Sequence, residues 1–101
     1  MYALSDMYIE LSPKEYERHL NYDDAKLYCD LLSIDNKDDW RMPSLKELVT
    51  VIYDLQPSAG ESYWTSTMEI TGDPVAMFYN GLNRCFPKNM ILTIRAIRYV
   101  Y

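Results

Sequence analysis

Apolar and polar residues alternate over 7–11, where Met7, Ile9 and Leu11 share one face, the period of a half-buried strand. The pattern then changes. Ser12-Pro13-Lys14-Glu15 puts proline at a first helical position inside capping-box spacing, which predicts a short helical turn over about 13–19. Asn21 is a good N-cap, and Asp23 and Asp24 suit the positive end of a helix. Ala25, Tyr28, Cys29 and Leu32 then recur at helical spacing, with Leu31 widening the stripe, so a first main helix runs to about Leu32. After the charged loop Asp35-Asn36-Lys37-Asp38-Asp39 comes Trp40-Arg41-Met42-Pro43-Ser44. Pro43 biases Met42 towards an extended backbone, and Ser44 with Glu47 forms a second capping box. A second helix is predicted from Leu45 to about Asp54, burying Leu45, Leu48, Val49 and Ile52 and turning Lys46 and Thr50 outwards.

The remainder reads as strands. Residues 63–67 are aromatic and β-branched, 69–74 form a turn, and 75–79 form the next strand. Asn80-Gly81 is the strongest hairpin signal in the chain and predicts a type I′ turn into 82–86. Pro87-Lys88-Asn89 turns again, and 91–100 reads as one long strand with Ile94, Ala96 and Arg98 on one face and Arg95, Ile97 and Tyr99 on the other. The prediction is an α+β fold in a single domain spanning 1–101. Two main helices group against an antiparallel meander, and the first and last strands are placed to pair.

The 101 residues are 49% apolar and 25% charged, an ordinary globular balance, with ten tyrosines suited to a small core that reaches the surface or to a contact face. A net charge of −5 argues against nucleic-acid binding. The charge is uneven. Residues 1–73 carry all 15 acids and six of the ten Lys/Arg, whereas 74–101 carry no acid and Arg84, Lys88, Arg95 and Arg98. Either the two parts neutralise each other within the fold, or the last part presents a basic patch to an acidic partner. No apolar run is long enough for a transmembrane helix, so no membrane association is expected, and Met1 to Asp6 lack the pattern of a signal peptide. Cys29 and Cys85 are expected as free thiols, with Cys29 on the buried helix face as a small hydrophobe.

Catalytic chemistry finds little support. His19 is the sole histidine and precedes any triad order, the acids of 35–39 lack the EF-hand pattern, and no phosphate-binding glycine loop occurs. No catalytic residue, metal ligand or cofactor is assigned. The candidate binding face lies on the loops of about 56–62, 68–74 and 83–90. Asn83, Arg84, Phe86 and Lys88 there combine amide, cation and aromatic groups without an acid, although the same loop reads equally as a solvated one. Trp40 and Trp64 are expected in the core. Arg41 is expected to pair with Glu47 or with backbone carbonyls beside Pro43, and Arg95 and Arg98 to brace loops or to add to the basic face.

Five motifs occur in order: Tyr22-x-x-Ala25-x-x-Tyr28-Cys29, Asp39-Trp40-Arg41-Met42-Pro43-Ser44-x-x-Glu47-Leu48, Tyr63-Trp64-Thr65-Ser66-Thr67, Phe78-x-Asn80-Gly81, and Ile94-Arg95-Ala96-Ile97-Arg98. Over about residues 20–100 this resembles the Lcl-like C-terminal-domain family, C-type-lectin-like domains of bacteria and their phages. The resemblance implies two helices on a small twisted sheet with paired terminal strands. It also implies a binding or display role, as in adhesins, secreted proteins and phage particles. In many such relatives the helix cysteine pairs with a cysteine at the position of Ala96, so that disulfide is missing here. The Glu-Pro-Asn, Gln-Pro-Asp and Trp-Asn-Asp triplets of calcium-dependent lectins are absent too, and Trp64-Thr65-Ser66 stands where calcium ligands would be expected. The implied function is a calcium-independent, non-enzymatic protein-binding or assembly module, a phage-encoded virion component with a protein partner or self-assembly. The alternatives are an intracellular phage protein that inhibits a host factor, whose basic surface the acidic N-terminal part would engage, or a cysteine-dependent enzyme. The implied location is the host cytoplasm or the virion.

Overall fold

The computed structural model describes residues 2–4 and 7–100, with side chains from Tyr8 to Val100. The chain is α+β. It runs β1 (Tyr2–Leu4), β2 (Met7–Leu11), a 3-10 turn (Lys14–Tyr16), β3 (Arg18–Leu20), α1 (Tyr22–Leu31), α2 (Leu45–Thr50) and α3 (Ile52–Leu55). Then follow β4 (Ser62–Met68), β5 (Pro74–Phe78), β6 (Asn83–Cys85), β7 (Leu92–Ile94) and β8 (Ile97–Val100). The strands form two sheets rather than the expected one, ordered β1-β2-β8 and β3-β7-β4-β5-β6. The expected pairing of 7–11 with the end of the chain is present, from Tyr8 opposite Val100 to Leu11 opposite Ile97. The inward place expected for Met7 lies outside the described side chains, and the reading of Met1 to Asp6 falls largely outside the described residues.

The strand expected over 91–100 is two strands in different sheets. β7 pairs with β3, while β8 pairs with β2. Ile94, Arg95, Ala96 and Ile97 are all buried, which the period-two alternation of one strand facing water cannot produce. The chain crosses from one sheet to the other at Arg95-Ala96. The expected meander is also interrupted, because β7 lies beside β4 in parallel, with Tyr63 opposite Thr93. β4 is therefore central and covered on both faces. Trp64 packs with Tyr22, Ala25, Cys29 and Trp40 under α1, while Tyr63 packs with Leu48, Val51 and Leu55 of the other helical segment. The helices thus sit on opposite faces of β4.

Local differences have local causes. Asn21 caps α1 as expected, its Oδ1 accepting from Asp24 N at 2.9 Å, but Leu31 is 73% exposed and Tyr22 completes the buried stripe instead. The Ser12–Glu15 capping box does not form. Ser12 N donates to Ala96 O at 2.9 Å and Ser12 O accepts from Arg95, so the helical turn stops at Tyr16 and His19 lies in a strand. The helix expected over 45–54 kinks at Val51, which turns Leu48, Val51 and Leu55 inwards, leaves Leu45 and Ile52 half-buried and exposes Val49. The Asn80-Gly81 turn is not type I′, since Asn80 keeps a negative φ. Gly81 N bonds Phe78 O at 2.9 Å and Gly81 takes φ 88°, a turn closed by a glycine bulge. The two-residue turn with both φ positive is at Asp35 (52°) and Asn36 (65°), where Ile34 and Lys37 exchange both backbone bonds.

Candidate functional site

The stretch 40–47 stitches the two sheets together. Arg41 N donates to Ile97 O at 2.8 Å and Ile97 N returns the bond to Arg41 O at 3.0 Å, while Ser66 N donates to Pro43 O at 2.8 Å. Pro43 is buried, and its fixed φ holds this extended segment in place before the helix. Ser44 and Glu47 form the expected capping box. Glu47 also takes a two-pronged contact from Arg41, at 3.1 and 2.5 Å, and a short hydrogen bond from the Tyr99 hydroxyl. Arg41 lies 4.7 Å from the Tyr99 ring centroid. Burial pushes the Glu47 carboxyl up, but the hydrogen bonds and charge from Arg41 and Ser44 outweigh it and hold the group below its ordinary pKa. Trp40 is buried with its indole N–H on Lys37 O at 3.1 Å, and Trp64 is buried with its N–H on Leu20 O at 2.9 Å.

Arg95 and Arg98 brace the fold. Arg95 Nε donates to Ser12 O at 2.5 Å and its guanidinium meets Glu17 at 3.0 Å, both side chains almost fully buried. Arg98 joins Asp39 at 2.6 Å and Glu10 at 2.8 Å, so neither arginine adds to an open basic face. Their partners and Tyr99 escape notice in the sequence, because they lie dozens of residues away and only the folded chain brings them near.

Arg84 and Lys88 behave differently. Both are exposed, and among the described residues neither has an ion-pair partner. Arg84 lies in β6 rather than in a loop, opposite Ala76, which places it on the α1 side of the larger sheet. Its guanidinium stands 5.5 Å from the Phe86 ring, which meets Phe78 edge-on at 6.0 Å. Lys88 stands 5.6 Å from the Tyr22 ring, itself edge-on to Trp64 at 5.4 Å, and Lys88 O receives Tyr22 N at 3.0 Å. Phe86 is half-buried against the core under α1 and is an anchor more than a contact residue. Asn83 lies opposite Met77, on the other side of the sheet, so the four predicted residues do not share one face. Arg84 and Lys88 do, each seated on an aromatic that is fixed from below.

Both cysteines are free. Burial pushes the Cys29 thiol up to about 12. Cys85 is also raised, by burial first and then by Glu69 and Asp73, so neither thiol is primed as a nucleophile. His19 shares a small depression of about 190 Å³ with Glu61, Ser62 and Thr93. The Glu61 carboxylate is already occupied by Ser58 N at 2.9 Å and by the hydroxyls of Tyr63 and Thr93 at 3.3 Å, which makes it a poor general base. No group of three His, Cys, Asp or Glu able to hold a metal occurs among the described residues. No described helix is long and apolar enough to cross a membrane.

No family model matches this sequence, and no curated protein matches it significantly.

Proposed function

We propose that this chain is a non-enzymatic, calcium-independent protein-binding module of C-type-lectin-like architecture, which engages an acidic partner surface through Arg84 and Lys88. The observation that carries this is the division among the cations of 74–101. Arg95 and Arg98 are consumed by ion pairs with Glu17, Glu10 and Asp39, while Arg84 and Lys88 stand exposed on one side of the sheet over fixed rings. Pre-positioned cations lose little freedom on binding, and rim charges of this kind set association rate and partner choice. The ordered motifs and the pairing of β2 with β8 support the lectin-like architecture. The raised thiols and the occupied carboxylate of Glu61 speak against a cysteine or acid–base enzyme. A place in a phage particle is the biological setting that the resemblance favours.

The test is affinity capture from host-cell lysate and from purified phage particles with the wild type and Arg84→Glu/Lys88→Glu. A partner bound about tenfold or more weakly by the variant fits the reading, and a partner captured equally by both rejects this face. Calcium is expected to leave the melting temperature unchanged, and an upward shift would contradict calcium independence.

A further inference from the structure

Helix α1 has a second apolar stripe, facing away from the core. Tyr22, Ala25 and Cys29 are buried under it, yet Leu27 is 55% exposed and Leu31 is 73% exposed, one turn apart on the outer face. They line a groove of about 400 Å³ with Leu20, Tyr28, Leu32 and Asp24. At 3.6 residues per turn, Asp23 and Asp30 fall along one side of the Leu27–Leu31 line and Asp24 along the other. Three acids face one lysine on this helix, the exposed Lys26, which lies one turn from both Asp23 and Asp30 and leaves the helix acidic on balance. The only cation placed against the groove among the described contacts is Arg18, 5.5 Å from the Tyr28 ring and held to Glu15 O and Glu17 O.

An apolar stripe between acidic rails has a definite complement. A second copy of this chain would set aspartates against aspartates, with −5 on each partner. An anionic lipid surface would be repelled by the same rails. A helix carrying leucine-like side chains one turn apart and lysine or arginine on both flanks satisfies stripe and rails together. We propose that the outer face of α1 docks a basic amphipathic helical segment of a partner protein, with Leu27 and Leu31 as the apolar contact and Asp23, Asp24 and Asp30 as its charged margins. The site is opposite to Arg84 and Lys88 in charge preference, and Lys88 meets this helix only at Tyr22, on its buried side.

The probe is a fluorescein-labelled synthetic helix with leucines one turn apart and lysines on both flanks, beside a copy with every lysine replaced by glutamate. Anisotropy titrations are expected to show saturable, salt-sensitive binding of the basic probe and none of the acidic one. Leu27→Asn/Leu31→Asn should weaken binding by about tenfold or more. Asp23→Asn/Asp24→Asn/Asp30→Asn should weaken it and flatten its salt dependence, and Arg84→Glu/Lys88→Glu should leave it unweakened. Because Leu27 and Leu31 point outwards, their variant should still fold and unfold cooperatively, with a melting temperature lowered only by the weaker helix propensity of asparagine and the small area lost. Equal binding by the leucine variant would reduce the effect to diffuse charge attraction and overturn the proposal. So would no binding at millimolar protein, leucine-dependent dimerisation in sedimentation, or leucine-dependent binding to phosphatidylserine vesicles.

Discussion

Replacing Arg95 with methionine tests the point where the last strand changes sheets. The methionine keeps an unbranched apolar stem but removes every donor. Glu17, whose side chain is only 10% exposed, then loses its cation, and Ser12 O loses the Nε donor at 2.5 Å. Breaking a buried ion pair on one side costs about 3–5 kcal/mol, because the remaining charge stays desolvated. That is a large part of the roughly 5–15 kcal/mol that holds such a domain together, and it corresponds to a fall in melting temperature of at least about 12 °C. If the unpaired carboxylate causes the loss, removing its charge must restore part of it. Urea unfolding at neutral pH of the wild type, Arg95→Met, Glu17→Gln and the double variant is expected to show the double variant more stable than Arg95→Met alone. The coupling should fall at about 1.5–3 kcal/mol. An Arg95→Met protein within about 1 kcal/mol of wild type would refute the reasoning, as would strictly additive effects.

Two further outcomes are expected. Glu47 and Glu61 both sit below their ordinary pKa of 4.5, burial opposing and hydrogen bonds prevailing, so the unfolded chain takes up their protons first. Their contribution is complete above about pH 4.5 and is lost as pH falls through the lower folded values; Glu47→Gln should flatten that acid limb in pH-dependent unfolding, and an unchanged limb would remove Glu47 from the account. Cys29 and Ala96 lie in the same core cluster, and if the family resemblance holds, Ala96→Cys should form a disulfide with Cys29 on mild oxidation, losing two hydrogens and tying α1 to the crossing before β8; a protein that keeps all its thiols would count against that resemblance.

What the sequence disclosed was set by the range of the forces involved. The Asn21 cap, the Ser44–Glu47 capping box and the burial of Trp40 and Trp64 depend on neighbours a few residues away or on sheer apolar size, and all four are present. The Arg41–Glu47 pair was legible for the same reason. The β3 strand was hidden because residues 18–20 carry no alternating apolar pattern and become a strand only through Ile94, Thr93 and Leu92. The crossing at Arg95-Ala96 was hidden by a run that scans as uninterrupted alternation, although Ile94 to Ile97 serve two cores in succession. Asn80-Gly81 misled because a favourable dipeptide states only a preference. The Asn80 side chain instead accepts from Leu82 N at 3.2 Å, and glycine alone supplies the positive φ. Of the candidate face, the residue types could be read from the chain, but which side of a strand each would occupy depended on β6 register.

That register also explains the uneven charge. The acids of the first part reach the cations of the last where β8 returns beside β2 and at the loops next to that pairing. β8 lies against β2, which puts Arg98 beside Glu10, and the crossing before it brings Arg95 to Ser12 and Glu17. β6 is the edge of the larger sheet farthest in strand order from β3, and it pairs only with β5, a strand without an acid. Arg84 therefore has no acidic neighbour across its ladder, and Lys88 follows on the loop that leaves that edge. The exposed cations follow from strand order more than from composition. Moving an acid onto β5 opposite Arg84, as in Ala76→Glu, would not simply neutralise it, since Ala76 is fully buried under α1 and a carboxylate there would have to be desolvated. Among the described residues the fold therefore leaves Arg84 without an ion-pair partner.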